Sequence, residues 1–192
     1  ASVLMHRLEK DIQPSEDVET VLAVSTLHLS ALNHQLDRTR FKLAAQHASA
    51  KDEGALTGEV SISMLHELIS FILVGHSERR ASFNETDAQV AEQLVSALRF
   101  GLRPVLCVGE TALEKNQGHT QQVLSAQVES AVGLVGTDQA DQILVAYEPR
   151  WAISSGDDYS SKATPKPEDL AKAAVTIRQS LEVNFGYKIS QE

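Results

Sequence analysis

The run Val145-Ala146-Tyr147-Glu148-Pro149-Arg150-Trp151-Ala152-Ile153 decides how this chain is read. Ile143 to Tyr147 is a short apolar stretch with strand character, and it ends on one carboxylate, Glu148. Pro149 cannot donate to a strand ladder, and the residues beyond Trp151 are rich in Ser, Gly and Asp, so the chain leaves the strand there. In a parallel sheet the C-terminal strand ends gather on one edge, where ligands bind. Glu148 would stand on that edge. Read alone, it is equally a solvated carboxylate at the start of a loop.

Working outward, the same arrangement recurs. Val18 to Leu27 and Phe41 to Gln46 read as strands, with a short polar region holding His28 and His34 between them. Ile69 to Gly75 is a third strand, followed at once by His76-Ser77-Glu78-Arg79-Arg80. Pro104 to Val108 is a fourth, ending at Gly109-Glu110. Helical spacing of apolar residues marks Ser2 to Ile12, Ser61 to Leu68, Asn84 to Gly101, His119 to Leu134 and Leu170 to Phe185. Gly101 is placed like a C-cap. Strand and helix thus alternate through about five βα units, which predicts a single α/β domain over 1–192 built on a parallel sheet.

Composition narrows the function. With 42% hydrophobic and 22% charged residues the chain is an ordinary globular one, and its net charge of −9 gives no basic face for nucleic acid or an anionic membrane. It contains no apolar run long enough to span a bilayer and no signal-peptide pattern, so a cytoplasmic location is expected. The single Cys107 lies in an apolar run, where an inert buried thiol is expected. The interval Gln46 to Glu59, with Lys51, Asp52, Glu53, Gly54 and Gly58, reads as a projecting loop. His76 reads either as a helix N-terminal histidine held by backbone or as a catalytic group, and Glu78 with Arg79 and Arg80 as a salt-bridged cap or as part of a site.

A resemblance bears on these alternatives. Val74-Gly75-His76-Ser77-Glu78-Arg79-Arg80, Val105-Leu106-Cys107-Val108-Gly109-Glu110-Thr111 and Ala146-Tyr147-Glu148-Pro149-Arg150-Trp151-Ala152-Ile153 resemble the signature segments of the triosephosphate isomerases, in order and spacing. Gly54-Ala55-Leu56-Thr57-Gly58-Glu59 resembles that family's third loop. The resemblance implies a TIM (β/α) barrel, here incomplete or rearranged, and the cofactor-free, metal-free interconversion of dihydroxyacetone phosphate and glyceraldehyde 3-phosphate in glycolysis and gluconeogenesis. It assigns Glu148 as general base, His76 as a neutral imidazole that polarises the carbonyl, and Glu78 as a carboxylate beside the active-site lysine. The tuning of that imidazole by a helix N-terminus belongs to the family's known mechanism and is implied here by the resemblance alone.

The same resemblance places Ser154 and Gly156 at the substrate phosphate, within a lid running from Pro149 to about Pro165. It implies a homodimer through the loop Gln46 to Glu59, with Thr57 reaching toward the partner's site. Ser154 stands where the family has a glycine, and Asp157 to Lys162 is an acidic and polar insertion. The family's first strand, with its Asn and Lys, precedes the opening helix, and its last two strands, with Ser and paired Gly, follow Glu192. The expectation is therefore a truncated barrel with weak or no activity in isolation, or a catalytically silent remnant serving as a folding or interaction module.

Overall fold

The computed structural model describes residues 2–12, 15, 17–153 and 164–186. The Val- and Leu-rich runs form five strands: β1 (Thr20–Val24), β2 (Phe41–Ala45), β3 (Phe71–Val74), β4 (Arg103–Val108) and β5 (Leu144–Tyr147). All are parallel, and they lie in the sheet in chain order. Such pairing requires a crossover after each strand. Helices are α1 (Ser2–Asp11), α2 (Thr26–Gln35), α3 (Ile62–Leu65), α4 (Ser77–Ser82), α5 (Asp87–Arg99), α6 (Ala112–Asn116), α7 (Thr120–Val132) and α8 (Pro167–Phe185), with a 3-10 turn at Thr137–Gln142. The architecture is the expected α/β one, an incomplete (β/α) barrel. No helix among the described residues is long and apolar enough to cross a membrane.

Two local readings are corrected. Strand β1 stops at Val24, and the segment with His28 and His34 is the helix α2, whose Leu29 and Leu32 are fully buried. The helix α6 also lies where no helix is expected. It is nucleated by a capping box in which Thr111 accepts from the Glu114 N–H and the Glu114 carboxylate accepts from the Thr111 N–H. Thr86 and Gln89 make the same reciprocal pair at the start of α5.

The core lies between the sheet and the helices. Leu43, Ile72, Leu106 and Val108 pack with Val90 and Leu94 of α5, Leu124 and Val128 of α7 and Ile177 of α8. Burying each such side chain is worth about 1.5–3 kcal/mol. Alternation on β4 sends Cys107 to the opposite face from Leu106 and Val108, outside this cluster. Register aligns the strand ends, since Val74 pairs with Leu106 and Val108 with Tyr147. Residues just past β2, β3, β4 and β5 therefore share one edge. At the opposite edge the Arg40 guanidinium donates to the carbonyls of Glu9 at 2.8 Å and Ile12 at 2.6 Å, which ties the end of α1 to the sheet.

Candidate active site

His76 follows β3 as the N-cap of α4, and Glu148 directly follows β5. The sheet brings these two residues, 72 positions apart in sequence (148 − 76), into contact, with His76 Nε2 at 2.8 Å from Glu148 Oε1. Both side chains are about three-quarters buried. The Glu78 N–H donates to His76 Nδ1 at 3.3 Å. A nitrogen that accepts a hydrogen bond carries no proton, so the neutral ring holds its proton on Nε2 and donates it to Glu148. The second Glu148 oxygen accepts from the Ser77 N–H at 3.4 Å. The carboxylate is thus held by an imidazole and by the first turn of α4.

The backbone that carries Glu148 is fixed just as closely. Its N–H donates to Val108 O at 2.7 Å, and the Arg150 N–H donates to Glu110 O at 3.0 Å. Between these bonds lies Gly109, where a Cβ would fall 2.0 Å from the Glu148 carbonyl oxygen. Only glycine permits that approach. The Glu110 carboxylate is buried, and it accepts from Tyr147 Oη at 3.0 Å and Trp151 Nε1 at 2.9 Å. Burial first, and then the Glu110 carboxylate, push the Tyr147 hydroxyl pKa up. Lys115 Nζ sits 3.4 Å from the centre of the Trp151 ring and 3.2 Å from Asp169 Oδ2. The hydrogen bond from Lys115 is the main cause that holds the Asp169 carboxyl below its usual range. The segment after β5 is therefore pinned by the buried Glu110 just past β4 and by Lys115 of α6, which is itself paired with Asp169 of α8.

Glu78 reaches His76 through its backbone N–H. Its carboxylate is more than half exposed and lies 4.0 Å from His76 Nδ1. Arg79 and Arg80 are ion-paired with residues beyond α4 rather than with Glu78, Arg79 to the buried Glu85 at 3.1 Å and Arg80 to Asp87. Arg80 also donates to Gly75 O at 2.9 Å, so the pairs lock α4 against β3 and α5. Cys107 is buried, and its thiol is pushed up to about 12, first by burial and then by the nearby Glu148 carboxylate.

A cavity of about 540 Å³ opens beside His76, lined by Ser25, Gln46, His47, Glu59 and Glu78 among others. Gln46, Thr57 and Glu59 are all exposed, so the loop projects as its composition suggests. His47, which carries no signal in the sequence, is half-buried between Glu59 at 3.7 Å and Glu85 at 3.6 Å. Burial, aided by the Arg79 guanidinium, holds its pKa below the usual histidine range. Ser154, Gly156 and the insertion Asp157 to Lys162 lie outside the described residues. The sequence does not mark Glu110 and Trp151 as partners, although a carboxylate ending β4 and an indole three residues past Glu148 are both in view.

Comparison with known proteins identifies the family. The triosephosphate isomerase family model matches residues 1–191. The chain is similar to the triosephosphate isomerase of Colwellia psychrerythraea, 42% identical over 156 residues, or 79% of this chain and 61% of that protein. It is 39% identical over 180 residues to that of a Picosynechococcus species, covering 93% of this chain and 73% of the relative. To that of Alkaliphilus metalliredigens it is 38% identical over 183 residues, covering 95% and 71%. The chain thus spans between about three-fifths and three-quarters of the length of these relatives. With strand-end signatures, parallel sheet and family match in agreement, the chain belongs to the triosephosphate isomerase family.

Proposed function

We propose that Glu148 and His76 are the acid–base pair of a triose phosphate isomerising site. Glu148 removes a proton from the carbon next to the carbonyl of a bound phosphorylated triose and returns it to the neighbouring carbon. His76 donates its Nε2 proton in a hydrogen bond to the oxygens on those two carbons, where charge develops in the enediolate. The observation that carries this reading is the 2.8 Å contact between His76 Nε2 and Glu148, with Nδ1 occupied by the Glu78 N–H. That arrangement places a donor next to a base, and a bound triose takes over the contact, its oxygens accepting from His76 Nε2 and its reacting carbons meeting the Glu148 carboxylate. The reaction is the family's, dihydroxyacetone phosphate to glyceraldehyde 3-phosphate, in the cytoplasm and without metal or cofactor. Dimerisation through the exposed Gln46–Glu59 loop belongs to the same proposal, and elution at monomer mass across a concentration series would count against it.

We further propose that this chain of 192 residues, assayed as it stands, turns over slowly. Among the described residues no lysine forms an ion pair with Glu78 or with Glu148, and Lys115 is engaged with Asp169 and Trp151. An absent charged donor costs on the order of 10²–10³-fold in turnover. The other reading, a silent barrel remnant acting as an interaction module, draws support from β1 and β5, each paired on one side only among the described residues. Isomerisation of glyceraldehyde 3-phosphate by the purified chain, measured beside Glu148→Gln, separates the two. Loss of activity in the variant supports the isomerase, and equal background in both supports the remnant. Phosphoglycolate should raise the unfolding midpoint of a chain that retains the site, because a ligand that prefers the native state stabilises it.

A further inference from the structure

The N–H and C=O of Gly109 itself do not join the sheet ladder. The bonds donated by the Glu148 N–H to Val108 O and by the Arg150 N–H to Glu110 O straddle this residue, and its Cα faces the Glu148 carbonyl. Its own N–H and C=O turn toward α7 instead. There one side chain meets both. The Gly109 N–H donates to Gln127 Oε1 at 2.9 Å, and Gln127 Nε2 donates to the Gly109 carbonyl at 3.3 Å. Gln127 is half-buried on α7, with Leu124 and Val128 beside it sunk in the core, so the carboxamide is carried by a helix that cannot easily shift.

We propose that Gln127 is a positioning residue for the Glu148 base, acting through Gly109. The proposal rests on the reading of Glu148 as that base. A primary amide can accept from the N–H and donate to the C=O of the same residue, and here it holds both peptide planes around Gly109. Those planes set where the Gly109 Cα lies. The Cα in turn is the wall against which the Glu148 carbonyl rests, and the Glu148 backbone decides whether its carboxylate meets His76. Gln127 touches neither catalytic group. It fixes the distance between them through one intermediate residue.

The experiment compares wild type with Gln127→Met, which keeps the volume and loses both bonds, and Gln127→Glu, which keeps only the acceptor for the Gly109 N–H. The first readout is the ¹⁵N and ¹H signal of the His76 Nε2–H in the free protein, which reports its bond to Glu148 without any turnover. The second is kcat against KM. The expected result is a weakened or shifted His76 signal in Gln127→Met, a kcat lowered by about 10²-fold for a displacement near 1 Å, and KM within about twofold. Gln127→Glu should lie between Met and wild type in both readouts. An unaltered His76 signal in Gln127→Met, or a change in KM with kcat intact, overturns the proposal. Should Gln127→Met fail to fold, Gln127→Glu carries the comparison, and a wild-type signal there overturns it as well. Absence of turnover in wild type counts against the function proposed above and leaves the resonance to decide the role of Gln127.

Discussion

Gly109→Ala should move Glu148 and leave the sheet standing. Gly109 does not sit in the left-handed region, so alanine suits its backbone, and the whole effect comes from contact. A Cβ there would lie 2.0 Å from the Glu148 carbonyl oxygen, 2.5 Å from its carbon and 3.1 Å from Pro149 N. Real Cβ atoms do not approach other heavy atoms within 3.0 Å, so the Glu148 backbone must retreat by about 1 Å (3.0 − 2.0). Overpacking of that kind costs about 1–3 kcal/mol, to be read as a lowered urea midpoint with an unchanged slope. The 2.8 Å bond between His76 and Glu148 cannot survive such a shift without compensation. Whatever isomerase activity the chain has should fall by about 10²-fold. A Gly109→Ala protein with wild-type stability and an undisturbed His76 Nε2–H signal would refute the reasoning.

Other outcomes follow from the same contacts. Cys107 has a folded pKa raised from 9.0 to about 12, so its contribution to stability is whole below pH 9 and is lost as pH rises toward 12, at up to about 1.4 kcal/mol per pH unit. Urea titrations at pH 8 and pH 10 should show a smaller loss in Cys107→Ala than in wild type, and equal losses would contradict it. The raised Tyr147 acts with the same sign above pH 10 in both proteins. Arg40→Ala removes two charged hydrogen bonds to the end of α1 and should cost about 2 kcal/mol, with hydrogen exchange speeding first in residues 2–12. In Lys115→Met the Asp169 carboxyl should titrate at a higher pH by NMR, since the hydrogen bond from Lys115 is the main cause of its lowered value.

The fold was legible wherever apolar strands met their polar ends. β3, β4 and β5 each break at Gly or Glu, and the resulting parallel sheet follows from that alternation. Helix α2 was hidden because Thr26 and Leu27 prolong the apolar run of β1, and Leu27 is almost fully exposed and adds nothing to the buried stripe. His76 and Glu148 could be named because each stands beside a strand terminus. The hub around Glu110 could not, since its bonds to Tyr147 and Trp151 depend on the register of β4 against β5. Gln127 gave no signal at all. A polar residue between Leu124 and Val128 looks like the wet side of a helix until the Gly109 peptide is seen opposite it.

The strand order of the sheet also dictates what the site depends on. Because β1 to β5 lie side by side in the order they are encoded, each new strand adds to an edge already formed and none must be threaded between two others. Contacts between sequence neighbours close small loops at little entropic cost. His76 is held locally, by the N–H of Glu78 two residues on. Glu148 reaches it only when β5 docks, so the contact between the two depends on the outermost strand of the sheet.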